Sequence, residues 1–363
     1  MQRSTWFALF FLSISAFSQS DYDKLLQQYH QSKNFNGVVL VASNGKADFL
    51  GSKGWANRQN KVPFKANTPV KVASISKTFT AVMILQLVEK GLIDLNASIS
   101  TYLPSYKGEG KDKVNIRHLL TYSSGIPNCE GNTGLSVYQL PLSVDAFIYK
   151  YCSGPLEFEP GSRFNYNNGD YILLGRIIEQ VTGTSFAKAL NAYILRPLGM
   201  MNTGMLAAKD IIPGLASTYN YDDSTKTFYV DDPYYIENYF AAGAMYSTAE
   251  DLLRFDKGIF EFKLLNKKSV DLMLTPFPEL YGVALGFWVY ENKIGNKTFR
   301  MANRQGSIWG ANANWLHLID NNKTVIILSN TNATNLPEMT DQLLLVATGQ
   351  KTTVETPILK KNR

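Results

Sequence analysis

The first part of the chain combines one helical pattern with one hairpin pattern. Apolar side chains recur at helical spacing through residues 21–31, which predicts a helix. The apolar runs 37–42 and 47–50 follow, separated by the Ser-Asn-Gly segment 43–45. Asn-Gly between two apolar runs is a strong signal for a tight hairpin turn. This region therefore predicts a helix followed by two antiparallel strands.

From about residue 70 the pattern changes to long helical periods, which loops rich in Asn, Gly, Tyr and Pro interrupt. Strand patterns bounded by Asn and Gly turns return after about residue 282, and one more helical pattern follows them. The predicted helices are 76–90, 116–123, 170–182, 186–194, 248–259 and 336–348, and the predicted later strands are 285–290, 298–302, 313–319 and 324–329.

Strand patterns at both ends with helical patterns between them indicate one sheet assembled from both ends of the chain. We therefore predict an α/β (α+β) fold, in which an antiparallel sheet is flanked by helices and carries a large, mostly helical inserted domain. The sheet domain is assigned to residues 19–65 and 280–350, the helical domain to 66–279, and a tail to 351–363.

The first eighteen residues have the pattern of a signal peptide. Arg3 is followed by the apolar stretch 6–17, and Ala16 and Ser18 provide small residues where a signal peptidase reads the chain. An uncleaved anchor is the alternative, but the stretch is shorter than the ~20 residues of a typical spanning helix. We predict cleavage after Ser18 and an exported protein, periplasmic or secreted, with no integral membrane segment in the mature chain.

Charge and histidine content narrow the function further. The net charge is +6, Lys and Arg are scattered, and only residues 360–363 form a basic cluster, which argues against nucleic-acid binding. The three histidines, His30, His118 and His317, lack metal-ligand spacing. We expect His118, within an apolar helical pattern, to have a structural role. No metal or organic cofactor is predicted, and the oligomeric state is left open.

Two cysteines, Cys129 and Cys152, remain to be assigned. Export would permit a disulfide between them. Such a bond would close a loop of roughly twenty residues and stabilise the fold by about 3 kcal/mol in the chain-entropy model. Two buried thiols are the alternative, and we favour the disulfide slightly.

Ser74 and Lys77 are the first candidates for catalysis. They are three residues apart at the start of a predicted helix, so both project from one helix face. A serine hydroxyl needs an adjacent base to become a nucleophile. A lysine can be that base, since burial and the positive end of the helix dipole both disfavour its ammonium form. The backbone N–H of Ser74 is a candidate oxyanion donor. Taken alone, the Ser-x-x-Lys pattern fits a helix cap and a solvated lysine better than a catalytic pair.

Tyr166 and Asn168 form a second candidate pair, in a loop that leads into the helix predicted at 170–182. A tyrosine hydroxyl beside a lysine ammonium can have a lowered pKa and exchange protons. An asparagine amide both donates and accepts, which suits holding Lys77 and a substrate amide. A buried tyrosine and a turn asparagine are the structural alternative.

With these two motifs at this separation, the chain resembles the penicillin-binding protein and class C β-lactamase superfamily of serine hydrolases. The superfamily motif Ser-x-x-Lys falls on Ser74 and Lys77, and Tyr-x-Asn falls on Tyr166 and Asn168. The resemblance extends from about residue 25 to 350. It implies a sheet domain from both chain ends, a helical domain between, and an active site in the cleft. Further stretches similar to the superfamily are 116–127, 197–200 and 242–252.

The resemblance also implies a third motif, Lys-Thr-Gly or His-x-Gly, on a sheet strand facing Ser74. The best match is Arg304, Gln305 and Gly306, so arginine replaces the usual lysine or histidine. Gly306 would let the substrate approach the strand edge. The backbone N–H of Ser307 would be the second oxyanion donor.

Arg304 changes what the third motif can do. A guanidinium does not lose its proton in proteins, so it can bind a substrate carboxylate bidentately but cannot transfer protons. The alternative is a surface arginine, with the motif misaligned by one residue.

The sequence therefore predicts an exported serine hydrolase that forms an acyl-enzyme on Ser74. We expect a small-molecule or peptide substrate, and a peptide or amide with a carboxylate fits best, as for a D-Ala-D-Ala carboxypeptidase. A carboxylesterase or β-lactamase of the same fold is the alternative within this class. A sensor or binding module that is acylated once and not turned over is the alternative from another class.

Overall fold

The computed structural model describes residues 10–131 and 134–352 of the chain. The strands of this part are β1 (Gly37–Ser43), β2 (Lys46–Lys53), β3 (Trp55–Asn57), β4 (Val62–Pro63), β5 (Val70–Lys71), β6 (Gly204–Met205), β7 (Tyr219–Asp222), β8 (Thr227–Val230), β9 (Met245–Ser247), β10 (Trp288–Ile294), β11 (Lys297–Ile308), β12 (Ala311–Leu318) and β13 (Lys323–Ser329).

Most helices lie between β2 and β10. The α-helices are α1 (Phe10–Ser32), α2 (Ser76–Glu89), α3 (Ile99–Tyr102), α4 (Ile116–Leu120), α5 (Val144–Tyr151), α6 (Asn168–Thr182), α7 (Phe186–Leu190), α8 (Arg196–Leu198), α9 (Phe240–Gly243), α10 (Ala249–Phe260), α11 (Lys267–Met273) and α12 (Leu336–Ala347). A π-helical turn, Asn191–Leu195, joins α7 to α8. Short 3₁₀ turns lie at Ala73–Ile75, Glu109–Lys111, Gly134–Tyr138, Ile236–Tyr239 and Pro278–Leu280.

The main sheet joins the two ends of the chain. Its six strands are antiparallel and have the order β10-β11-β12-β13-β1-β2. β1 pairs with β13 from Gly37 opposite Ser329 to Ser43 opposite Lys323. Asn44 and Gly45, which connect β1 to β2, both have positive φ, as a tight hairpin turn requires. The predicted fold class is confirmed.

The sheet is covered on both faces, which explains the uninterrupted apolar run in β1. Val39 and Val41 pack into a cluster with α1 and α12, whereas Val38 and Leu40 face the larger core that contains α2 and α10. A strand buried on both faces has no polar alternation. Burying each of these side chains stabilises the fold by roughly 1.5–3 kcal/mol.

α2 is the central helix of the core. Every residue from Ser76 to Leu87 is buried, so the helix is surrounded by other elements on all sides. Its start is therefore fixed in space, and so are any side chains that project from its first turn.

Of the strand boundaries that differ from the sequence-based prediction, two concern the site. β10 begins at Trp288, three residues late, because Gly286 has a φ of +91° and accepts a hydrogen bond from Thr78 Oγ1 of α2 at 2.7 Å. β11 extends to Ile308, well beyond the predicted 298–302. The third motif consequently lies within a strand.

The disulfide favoured from the sequence is wrong: Cys129 and Cys152 are both buried thiols. Cys152 Sγ packs so closely on Gly169 that a Cβ there would lie 2.8 Å from the sulfur. Cys129 Sγ lies 3.7 Å from the hydroxyl of Tyr138. Both thiols therefore lie near Gly169 and close enough for a charge on Cys129 to disfavour ionisation of Cys152. Burial raises the pKa of Cys129 to about 12 and that of Cys152 well above its usual value, so thiolate formation is disfavoured at both.

Parts of two predictions lie outside the described residues. Residues 1–9 of the predicted signal peptide and residues 353–363 of the predicted tail are among them. Cleavage after Ser18 stays a prediction. In the described ranges, no helix combines the length and the apolar character needed to span a bilayer.

Candidate active site

The nucleophile candidate Ser74 lies in the 3₁₀ turn Ala73–Ile75 that leads into α2. Ala73 has a φ of +47°, a left-handed conformation that costs an L-residue roughly 1–3 kcal/mol. The strand edge at Gly306 packs directly on this turn, since a Cβ at position 306 would lie 2.3 Å from the carbonyl oxygen of Val72. The turn is thus held in a strained shape between α2 and β11.

Ser74, Lys77 and Tyr166 meet in one hydrogen-bonded group. Ser74 Oγ lies 2.8 Å from Tyr166 Oη, and Lys77 Nζ donates to Ser74 Oγ at 3.0 Å. Lys77 also donates to Asn168 Oδ1 at 2.6 Å and to the backbone oxygen of Ala242 at 2.8 Å. The three protons of an ammonium therefore each have an acceptor, which fixes Nζ beside the serine hydroxyl.

Burial and charge prepare these groups for proton transfer. Burial lowers the pKa of Lys77, whose side chain is fully buried. Burial alone would raise the pKa of Tyr166, but the positive charges of Lys77 and Arg304 bring that pKa down to about 8. Tyr166 can therefore accept the serine proton close to neutral pH.

Local capping explains how the Tyr-x-Asn motif reaches the nucleophile. Asn167 is the N-cap of α6, and its side chain accepts a hydrogen bond from the backbone N–H of Gly169 at 2.8 Å. The same side chain donates to the backbone oxygens of Ile126 and Pro127 at 3.0 and 3.1 Å. This cap fixes the first turn of α6, and with it the direction of Asn168.

Asn168 holds the lysine, and Glu130 holds Asn168. The amide nitrogen of Asn168 donates to Glu130 Oε1 at 2.6 Å and to Tyr138 Oη at 3.1 Å. Tyr138 in turn donates to Glu130 Oε1 at 2.6 Å. Both the oxygen and the nitrogen of the Asn168 amide are thus hydrogen-bonded within the protein. A hydrogen bond from Asn168 to a substrate amide, predicted from the sequence, would compete with these bonds.

Arg304 lies in the site, but in a different role from the predicted one. Its side chain is fully buried. Its Nε donates to the backbone oxygen of Ser74 at 2.8 Å, and its Nη2 donates to Tyr166 Oη at 3.3 Å. The guanidinium also lies 4.9 Å from the ring centre of Trp288. These contacts turn Arg304 towards the catalytic groups, so direct binding of a substrate carboxylate, as expected from the sequence, does not fit.

Gly306 and Ser307 lie on the edge of β11 that faces Ser74. The glycine is required because the Ser74 turn approaches it, with a Cβ at 306 only 3.0 Å from the backbone nitrogen of Ser74. β11 and β12 are joined by a two-residue turn after Ile308, which pairs with Ala311. Hydrogen-bonded and non-bonded pairs alternate in antiparallel strands, so the N–H of Ser307 points to the free edge.

Two residues of the site, Glu130 and Trp288, were not predicted from the sequence. Glu130 follows a superfamily-like stretch by three residues, but nothing in its immediate sequence marks a contact with Asn168. Trp288 begins β10, and its ring lies 6.1 Å from that of Tyr166. Trp288 lies near Arg304 because β10 pairs with β11, and the sequence around Trp288 does not reveal that pairing. His118 is part of a capping box at the start of α4, consistent with the structural role expected for it.

Across residues 10–131 and 134–352, no three His, Cys, Asp or Glu side chains are grouped as metal ligands would be. The chemistry that the arrangement supports is nucleophilic attack by Ser74, with Tyr166 and Lys77 exchanging the proton.

Comparison with known sequences agrees with this geometry. The Beta-lactamase family model matches residues 22–349. Penicillin-binding protein 4* of Bacillus subtilis is 30% identical over 324 residues, which cover 84% of this chain and 70% of that protein. Teichoic acid D-alanine hydrolase of Staphylococcus aureus is 28% identical over 254 residues, which cover 70% of this chain and 62% of that protein.

Solved structures share the fold. A penicillin-binding protein from Bacillus halodurans superposes with a TM-score of 0.74 at 25% identity, covering 89% of this chain and 98% of that one. D-amino acid amidase from Ochrobactrum anthropi SV3 has a TM-score of 0.77 at 20% identity, covering 91% of this chain and 99% of that one. At that lower identity the likeness concerns the fold alone.

Proposed function

Since the chain belongs to the Beta-lactamase family of serine hydrolases, we propose that it forms an acyl-enzyme on Ser74 and hydrolyses amides or esters outside the cytoplasm. The observation that carries the proposal is the hydroxyl of Ser74 within 2.8 Å of Tyr166 Oη and 3.0 Å of Lys77 Nζ. The predicted signal peptide supports the export part of the proposal.

Acylation begins with proton transfer from Ser74 to Tyr166, whose pKa of about 8 makes the phenolate accessible near neutral pH. Lys77 stabilises that phenolate by its charge and holds the serine oxygen in place. Oγ attacks the substrate carbonyl, and the backbone N–H groups of Ser74 and Ser307 receive the developing oxyanion. Such a donor contributes on the order of 3 kcal/mol to the transition state.

Collapse of the tetrahedral intermediate breaks the bond to the leaving group. Tyr166 returns the proton to the leaving nitrogen or oxygen, and the acyl group remains as an ester on Ser74. A water molecule then attacks this ester while Tyr166 takes its proton. The acid product leaves, and the serine oxygen regains a proton from Tyr166. Protons and bonds balance without any further reactant.

The substrate class is supported by the relatives and by the site together. Among the relatives is a teichoic acid D-alanine hydrolase, and a D-amino acid amidase and the hydrolase EstCE1 share the fold. We therefore favour amides or esters of D-amino acids. A D-Ala-D-Ala carboxypeptidase is the second candidate, which the 30% identity to penicillin-binding protein 4* favours. The buried position of Arg304 weakens the carboxylate contact on which that candidate relied.

The test is labelling by a fluorophosphonate together with turnover of chromogenic D-amino acid esters and amides. We expect wild-type protein to be labelled on the peptide containing Ser74 and to turn over continuously. Ser74→Ala should lose both, with turnover reduced by about 10⁴-fold or more. Ser76→Ala, which removes the neighbouring hydroxyl bonded to Ala73, is the matched control and should still be labelled at Ser74.

Two results would contradict the proposal. Turnover retained by Ser74→Ala would reject the nucleophile. A single burst of product without steady-state turnover would indicate a protein that is acylated once, as a sensor is. A cephalosporin in the same substrate panel tests for β-lactamase activity.

A further inference from the structure

A cavity of about 600 Å³ opens beside Ser74 and Tyr166 and continues over the sheet. β10 pairs with β11 only up to Asn303, so beyond that residue no strand pairs with this edge of β11, which faces the Ser74 turn. Along this part of β11 the side chains alternate: Arg304 and Gly306 are buried, whereas Gln305 and Ser307 are exposed. The floor of the cavity is therefore the uncovered end of the β11–β12 pair, and the start of α12 closes its far side.

The wall of this cavity is polar and, apart from Tyr166 in its reactive phenolate form, carries no ionised side chain. It contains five carboxamides, two hydroxyls of Ser and Thr besides that of Ser74, and two aromatic rings besides Tyr166; no Lys, Arg, His, Asp or Glu lines it. Its lining consists of Ser74, Tyr166, Trp288, Tyr290, Asn303, Gln305, Gly306, Ser307, Asn312, Ala313, Asn314, Thr334, Asn335, Leu336 and Pro337.

Two of the five carboxamides are open to a ligand. Asn335 caps α12, where its side chain accepts a hydrogen bond from the backbone N–H of Glu338 at 3.2 Å. Asn303 and Asn314 are occupied, since Asn303 donates to Asn314 Oδ1 at 2.9 Å and Asn314 donates to Thr340 Oγ1 at 2.6 Å. By contrast, the contacts of Gln305 with Asn303 and of Asn312 with the Gly310 oxygen are both 3.5 Å long. Bonds of that length are weak, so these two amides can exchange them for a ligand.

Neither of the two cations nearest to the cavity can form an ion pair with a carboxylate bound there. Arg304 is buried and does not line the cavity: its Nε and Nη2 donate to the Ser74 oxygen and to Tyr166, and its Nη1, which makes no hydrogen bond, is enclosed in the interior. Lys77 is buried with its three protons engaged. A carboxylate in the cavity would lose hydration without gaining an ion pair, which is unfavourable. A carboxamide or hydroxyl group would exchange hydrogen bonds with Gln305 and Asn312 instead.

The role of Tyr166 indicates which part of the substrate occupies the cavity. In the proposed mechanism its hydroxyl protonates the leaving group, and this hydroxyl belongs to the cavity wall. We infer that the cavity is a leaving-group subsite selective for uncharged, hydrogen-bonding groups, with Gln305 as its specificity-determining residue. This inference rests on the proposed acyl-enzyme function. It points to esters of hydroxylated alcohols and to amides without a terminal carboxylate.

The experiment compares two substrates with the same scissile bond: N-acetyl-D-alanyl-D-alanine and its C-terminal carboxamide. Release of D-alanine or D-alaninamide gives kcat/KM for each. We expect the wild-type protein to prefer the carboxamide by about 10-fold or more, because only the acid brings a charge into the cavity. Gln305→Lys should lower this preference by about 10-fold or more.

The matched control is Asn292→Lys, which adds the same charge on exposed β10 outside the cavity and should change the preference by less than about 2-fold. Equal use of both substrates by the wild type, or preference for the acid, would overturn the inference while leaving the acyl-enzyme intact. An equal shift in both lysine variants would also overturn it. If Ser74-dependent release occurs with neither substrate and none of the chromogenic esters, the proposed function itself fails.

Discussion

The two walls of the cleft differ in how completely their polar groups are used. The catalytic wall, defined as Ser74, Lys77, Tyr166, Asn168 and Arg304, is tied together by hydrogen bonds inside the protein. The sheet wall, defined as the cavity-lining side chains of β11 and β12, includes amides that make only 3.5 Å contacts. Proton transfer needs fixed distances, whereas recognition of a substrate needs groups that are still available.

This contrast has an electrostatic side as well. Both cations of the catalytic wall are fully buried and act on Tyr166, whose pKa they bring down to about 8. The sheet wall is electrically neutral. The positive charges of this site therefore act on the base, Tyr166, and not on the sheet wall. Substitutions in the catalytic wall should therefore change the rate and its pH dependence. Substitutions in the sheet wall should change the substrate preference.

The largest effect is expected from the catalytic wall. Tyr166→Phe removes the group that exchanges protons with Ser74, so kcat should fall by about 10²–10⁴-fold with little change in fold. Tyr171→Phe is the matched control, because its buried hydroxyl donates to the Leu120 oxygen at 3.0 Å, away from Ser74. Steady-state kinetics and circular dichroism on both variants check this. Comparable kcat values for the two variants would remove Tyr166 from the mechanism.

A smaller effect, specific to pH, is expected at Arg304. The reactive phenolate form of Tyr166 becomes populated as pH rises through about 8, so kcat/KM should rise through the same range. Arg304 lowers the pKa of both Tyr166 and Lys77 by its positive charge. Removing the charge in Arg304→Gln should therefore move the rise to higher pH. At pH 7, kcat/KM should fall by about 10-fold for each pH unit that the rise moves.

Arg304→Lys keeps the charge and is the control for this prediction. Its pH profile should stay closer to that of the wild type, even where the lost hydrogen bond to the Ser74 oxygen lowers the maximum rate. Thermal unfolding of both variants separates a change in stability from a change in the profile. Profiles of Arg304→Gln and wild type that coincide would mean that Arg304 does not tune the base.

The same contrast separates what sequence could predict from what it could not. Ser74 and Lys77 share one helical turn, so their proximity follows from spacing alone. The sheet joining both chain ends followed from the distribution of strand and helix patterns, because β1 and β13 are apolar along most of their length. Tyr166 and Asn168 could be linked to that turn only through the resemblance to a superfamily, since 92 residues separate Tyr166 from Ser74.

What the sequence could not provide is the direction of side chains in long-range contacts. Arg304 was expected to face a substrate, yet the alternation along β11 turns it towards Ser74 and leaves Gln305 facing the cavity. A shift of the β11 register by one residue in either direction would turn Gln305 towards Ser74 and Arg304 towards the cavity. The disulfide failed for a related reason: spacing along the chain says nothing of how Cys129 and Cys152 are packed.

The smallest effect is expected at Glu130, which supports the catalytic wall from behind. Glu130→Gln keeps an oxygen that accepts from both Asn168 and Tyr138 but removes the negative charge, one of the charges that raise the pKa of Lys77. The pKa of Lys77 should then fall further, and kcat/KM should change by less than about 3-fold.

Glu130→Ala also frees the Asn168 amide, and losing a hydrogen bond to a charged group should cost about 10-fold in kcat. Steady-state kinetics of the two variants measure the difference. If both variants lose activity equally, the charge of Glu130 and not its hydrogen bond supports Lys77, and Asn168 is held by other contacts.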